Sequence, residues 1–335
     1  MRLGDALGAL RVTDLARIAP ARREPPPPPG DVYRPDGGTE HALDLARRAG
    51  HPAPRVRALA ATLGTLDPGT RRAVVDPLRR GAGGGWSGPR DRARVRPLEV
   101  GGSPARQTDA TTCGSAVLAL LAAAGDPVLA LWLATGLAPG ETAPVPAPPP
   151  DGAARFRVLQ QEVKRRTNRA ALGPLPWPAA LGTPPWGAAR TARYADVRYV
   201  ERVVVGAGSE PVVRSALVAA ARGVPVPLFT GGDLALGIAT AVPRHVVLLT
   251  DADAQARRCR VYEPSSGTVH DLDAAHLLDG ARSPAVRHAL GGWPHVCWTL
   301  LPAGRQGWRA PTRGARMKVA ATSVERAESS GEESR

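Results

Sequence analysis

The C-terminal half of the chain carries the pattern that most narrows its fold. Between Tyr199 and Leu301, short apolar runs recur with turn signals between them. Tyr199 to Val205, Val224 to Phe229, His245 to Thr250, Cys259 to Tyr262, Thr268 to Leu272 and Val296 to Leu301 each have strand length and strand composition. Connections of a few residues favour antiparallel pairing. One helix interrupts them, Pro211 to Arg222, opened by Ser209, Glu210 and Pro211 and closed by Gly223. Residues 273–281 read as a further helix. Earlier segments have helical spacing: 39–63 and 66–80 as two or three short helices, 113–124, Val128 to Thr135, and 153–170 with Phe156, Leu159 and Val163 on one face. Helices that precede a run of strands give the α+β class, with N-terminal helices packed on a small antiparallel β-sheet.

At 335 residues the chain is long enough for one large domain or two ordinary ones. Residues 1–95 form an N-terminal helical and linker region. It opens with an amphipathic helix at 1–19, followed by a proline-rich arm from Arg23 to Pro35. The glycine-rich stretch Gly81 to Gly88 marks its end. Residues 96–305 form the main domain, with a Pro/Trp-rich insertion at about 139–190 that holds Trp177 and Trp186. Residues 306–335 are polar and read as a disordered tail.

Lys and Arg number 44 against 30 Asp and Glu, a formal charge of +14. All but Lys164 and Lys318 of the basic residues are arginine, and they are scattered among Ala, Gly and Pro. Neither a long basic run nor interleaved aromatics accompany them, so no nucleic-acid partner is expected. Nor is a membrane partner: no stretch has the length and apolarity of a span. Cys113, Cys259 and Cys297 are too far apart for a zinc signature and too few for a disulfide framework, so no metal or other cofactor is expected. An odd number of free thiols, without a signal peptide, fits a cytoplasmic protein.

The chemistry is concentrated in Gln107-Thr-Asp-Ala-Thr-Thr-Cys113-Gly114, which runs into the apolar helix from Ser115. A thiol at a helix start gains from the positive end of the dipole, which favours the nucleophilic thiolate. An amide six residues upstream can turn back to donate to an oxyanion, together with the Cys113 backbone N–H. Small residues at 114 and 115 leave the sulfur accessible. His245 heads an apolar strand and can serve as base and later as acid. Glu263 ends the strand expected to pair with it and can fix the imidazole. His41 and His51 lie in the N-terminal region, and His270 and His276 fall on or beside a surface strand and helix. His288 and His295 lie in the final loop, with His295 the one rival as base. Asp251 and Asp253 sit at the far end of the hairpin.

These residues resemble a family. Gln107-x5-Cys113-Gly114, His245-Val-Val-Leu-Leu and the acidic-Pro-x-x-Gly turn at Glu263 are similar to the bacterial double-glycine leader peptidases, papain-like enzymes that trim bacteriocin-type leader peptides. Leu217-x5-Gly223-Val-Pro-Val resembles them too. The likeness covers roughly 103–301, with long insertions. It implies a papain-like cysteine peptidase fold in a stand-alone relative, with a peptide or protein substrate. Cys113 would be the nucleophile, His245 the base, Gln107 the oxyanion donor and Glu263 the His-orienting acid, where the family has Asp or Asn. The expected reaction is hydrolysis of a peptide bond through an acyl-enzyme. A cysteine acyltransferase or amidase on the same fold, and a catalytically inactive peptide-binding module, are the alternatives.

Overall fold

The computed structural model describes residues 38–81, 94–140, 147–169, 171–204, 209–232, 243–280 and 283–305. The expected helix at 1–19, the proline arm, nearly all of the glycine-rich stretch, part of the 139–150 loop and the tail after 306 lie outside them.

Eight strands build one antiparallel sheet. β1 (Val95–Pro97), β4 (Arg193–Tyr194), β5 (Val197–Val203), β6 (Val226–Gly231), β7 (Pro243–Ala252), β8 (Arg258–Glu263), β9 (Thr268–Asp273) and β10 (His295–Arg305) lie in the order β1-β9-β8-β7-β6-β10-β5-β4. β2 (Glu99–Val100) and β3 (Ser103–Pro104) form a separate small hairpin. The class is α+β, as expected, and the sheet is larger than the small one expected. The two edge strands are too short to announce themselves in the sequence.

Helices cover both faces. The first face takes α1 (Gly38–Arg48), α2 (Ala53–Thr65), α3 (Pro68–Val75), α4 (Cys113–Gly125), α5 (Pro127–Thr135), α6 (Gly152–Asn168) and α7 (Pro185–Thr191). Their apolar side chains meet Val246 and Leu248 of β7, Tyr262 of β8 and Leu300 of β10 in one buried cluster. The second face takes α8 (Ser209–Ala221), α9 (Ala275–Asp279) and α10 (Pro284–Ala289) against Leu228, Val247, Leu249 and Val261. Successive side chains of β7 thus enter different cores, as a two-residue period requires. This explains why the His245 strand is apolar without alternation: neither of its faces is wet.

α4 is the axis of the first core. All but one of its residues are buried, so it can be apolar all round. Asp126 ends it and caps α5, accepting from the N–H groups of Val128 and Leu129. The two helices have the length and composition of a broken span, but they meet at a bend of 115° and are core helices here. Among the described residues no single helix is long and apolar enough to cross a membrane. Leu45, Leu59, Leu63 and Leu78 belong to the same cluster as Leu120 and Leu121 of α4, so side chains on either side of the break expected near Val95 share one core.

Candidate active site

Cys113 is the first residue of α4. The N-cap residue, Thr112, gives no side-chain cap to the helix. Its hydroxyl bonds to Asp109 instead. The first-turn N–H groups are therefore left without the usual cap oxygen, and Cys113 sits at the positive end of the helix. Gly114 has a different role from the accessibility expected of it. A Cβ there would lie 2.7 Å from the Cβ and Oγ1 of Thr183, so the missing side chain makes room for the inserted segment. Ser115 is fully buried, and the residue Cys113 itself is 5% exposed.

His245 lies near the start of β7, where the strand meets Thr230 of β6. Its Nε2 is 2.8 Å from Oε1 of Glu263, the last residue of β8. The Cys113 side chain lies close enough to the same ring to favour its charged form. With Nε2 committed to the carboxylate, Nδ1 is the nitrogen left for the sulfur. Burial works against the imidazolium. The hydrogen bonds to Cys113 and Glu263, with the charge of both, outweigh it and raise the pKa to about 9.

Glu263 owes its state to its own turn. Burial pushes its carboxyl up, but hydrogen bonds from His245, Ser266 and the backbone of Ser265 and Ser266 hold it at about 2. Oε1 accepts from His245 Nε2 and from Ser265 N at 2.8 Å. Oε2 accepts from Ser266 N and Ser266 Oγ, both at 2.7 Å. Four donors meet two oxygens, so a fully buried anion is fully satisfied. The turn closes with Gly267 at φ 70°, whose N–H donates to the Glu263 carbonyl.

The loop bearing Gln107 docks on that turn. Gln107 N donates to the Pro264 carbonyl at 2.8 Å, and its Oε1 accepts from Ser265 Oγ at 3.1 Å. Tyr262 Oη donates to the Ala105 carbonyl at 2.6 Å, and Arg106 Nε to the Ser266 carbonyl at 2.9 Å. Gln160, buried on α6, clamps the loop from behind: Nε2 donates to the Arg106 carbonyl and Oε1 accepts from Thr108 N. The Gln107 side-chain amide donates to the Asp109 carbonyl at 2.8 Å. The structure thus joins His245 to Glu263 by a hydrogen bond and brings Cys113 near the ring. Gln107 is joined to them through the Glu263 turn and the Asp109 loop.

Several neighbours escaped the sequence reading. Gly291, at φ 69°, packs on the imidazole so closely that a Cβ would stand 2.1 Å from His245 Cδ2. The only sequence signal was the pair Gly291-Gly292. His270, expected on a surface strand, is 1% exposed because α10 covers it. α10 occupies part of the stretch expected as the final loop. His295 opens β10, on the far side of β6 from His245. Among the described residues, no three His, Cys, Asp or Glu side chains converge as metal ligands. No protein-family model matches the sequence, and no curated protein matches it either.

Proposed function

We propose that this protein is a cysteine peptidase of papain-like architecture, acting on a peptide or protein substrate in the reducing environment of the cytoplasm. One observation carries the reading: an imidazole held between a helix-terminal cysteine and a buried, ionised carboxylate. Cys113, as thiolate, attacks the carbonyl carbon of the scissile amide. His245, protonated at rest, gives its proton to the leaving amine as the C–N bond breaks. A water then gives a proton to His245 and attacks the thioester, which frees the acid and restores the pair. Glu263 keeps Nε2 protonated throughout and directs Nδ1 at the sulfur and the leaving group. The uncapped first turn of α4 supplies donors for the oxyanion, and the Gln107 amide, one of whose N–H groups is held by the Asp109 carbonyl, supplies its second.

The test is alkylation of Cys113 by iodoacetamide, followed by mass spectrometry across pH 5–9. Labelling at pH 6 is expected to be fast in the native chain and to slow at least tenfold in His245→Ala. Equal rates in the two proteins would exclude an activated pair. Hydrolysis of an unbiased peptide library, abolished by Cys113→Ala, identifies the reaction as peptide cleavage.

A further inference from the structure

The Glu263 carboxylate is the end of a longer chain of hydrogen bonds. Ser266 Oγ lies 2.7 Å from Glu263 Oε2 and 2.6 Å from Thr268 Oγ1, which is 2.8 Å from His270 Nε2. These groups come from one turn and the strand after it, with Glu263 and Thr268 directly paired across the β8–β9 hairpin. Thr268 and His270 are two residues apart on β9, so the strand's period puts both on one face.

The direction of every proton in this chain follows from one charge. Glu263 is ionised and can only accept. Ser266 therefore directs its single hydroxyl proton at Oε2. Having no second proton, it accepts from Thr268. Thr268 is then also without a proton for His270, so His270 Nε2 must carry one and donate it. The far end is suited to that task. Burial above all, and the neighbouring His288, lower the pKa of His270 to about 4, against smaller opposing effects of Glu263 and Asp271. A neutral ring with its proton on Nε2 is what the chain requires. The His288 ring from α10 stands 5.4 Å away, nearly edge-on.

We propose that Ser266, Thr268 and His270 are positioning residues for the site, a one-way relay that locks the Glu263 carboxylate in the plane that receives His245. The proposal deepens the peptidase reading and rests on it for function, though not for geometry. The alternative is that each group only satisfies its neighbour. The two differ because a relay acts in series: along the hydrogen-bond chain, Thr268 reaches the Glu263 carboxylate through Ser266.

Imidazole ¹⁵N NMR at pH 7 tests the geometry without reference to catalysis. His270 is expected as the neutral Nε2–H tautomer in the native chain. An Nδ1–H or charged His270 would overturn the relay. Its action is read from the rate of Cys113 alkylation at pH 7. Thr268→Val, near-isosteric, and Ser266→Ala are each expected to slow it roughly fivefold, the worth of one net hydrogen bond. Thr268→Val added to Ser266→Ala should change nothing more. His270→Gln, which keeps a donor near the Nε2 position, should stay close to native, whereas His270→Leu should behave like Thr268→Val. Additive losses, or no loss in variants that keep the native melting temperature, would overturn the proposal. If His245→Ala alkylates like the native chain, the peptidase reading fails, while the tautomer still decides whether the relay exists.

Discussion

His245 and Glu263 meet at 2.8 Å, and the carboxylate that receives the ring is held by the backbone of its own β-turn. That arrangement gives the extra methylene of glutamate a use. The side chain must reach both back over the N–H groups of Ser265 and Ser266 and across to Nε2. Glu263→Gln keeps the shape and removes the charge, so peptide-cleaving kcat/KM is expected to fall roughly 10²-fold or more. Glu263→Asp keeps the charge but cannot reach all four donors, and a loss of about tenfold is expected. An aspartate variant as active as the native protein would show that the turn contacts are irrelevant to function.

The pH dependence follows from the same pair. Burial opposes the His245 cation, but Cys113 and Glu263 favour it and the imidazolium persists to about pH 9. The reactive form needs that proton for the leaving amine. Activity is therefore expected to be sustained through neutral pH and to decline as His245 loses its proton near pH 9. Because Glu263 helps to hold the proton on, Glu263→Gln should move this alkaline limb to lower pH. Initial rates between pH 6 and 10 for the two proteins check both the position and the direction. A limb at the same pH in both would mean that Glu263 does not act on His245.

Cys113, His245 and Glu263 were legible because each sits at an element boundary that local rules mark: a helix start, a strand start and a Pro-x-x-Gly turn. The internal strands and most helices were legible for the same reason. Of the second helical layer, α8 and α9 were legible but α10 was not, because it is only six residues long and has no full apolar period. With it went the burial of His270, which depends on α10 being there. Thr183 was equally hidden, since its contact with Gly114 joins α4 to a proline-rich insertion far along the chain. Contacts between residues distant in the chain leave no periodic trace.

Gly291 offers a test of how tightly the ring is held. Its φ of 69° disfavours any side chain, and a Cβ would fall 2.1 Å from His245 Cδ2 and 2.6 Å from Nε2. Gly292, at φ 89°, has open space where a Cβ would go. Both alanine variants should lose about 1–2 kcal/mol through backbone strain. Only Gly291→Ala should also displace the imidazole and cut kcat/KM by roughly tenfold or more. Thermal melts give the shared cost, and kinetics give the difference. Equal kinetics in the two variants would mean that the turn after α10 does not position His245.

Arg80 decides whether the N-terminal helices can be removed from the rest. Its side chain is 2% exposed, its Nη1 donates to the Gly223 carbonyl at 2.8 Å, and its guanidinium lies over the Tyr194 ring. Its own carbonyl accepts from Arg260 Nη1 at 3.0 Å, which ties the segment after α3 to β8. Arg80→Met keeps most of the volume but leaves the Gly223 carbonyl buried without that donor. A loss of about 2 kcal/mol is expected, because an orphaned buried acceptor keeps its desolvation cost. The shared core of α1–α4 implies that this loss lowers one common transition, since helices packed into one cluster with the sheet cannot melt separately. Calorimetry of the native chain and Arg80→Met should therefore give a single endotherm in each, displaced downward by several degrees or less in the variant. A second, independent endotherm that alone responds to Arg80→Met would show the N-terminal helices to be a separate folding unit.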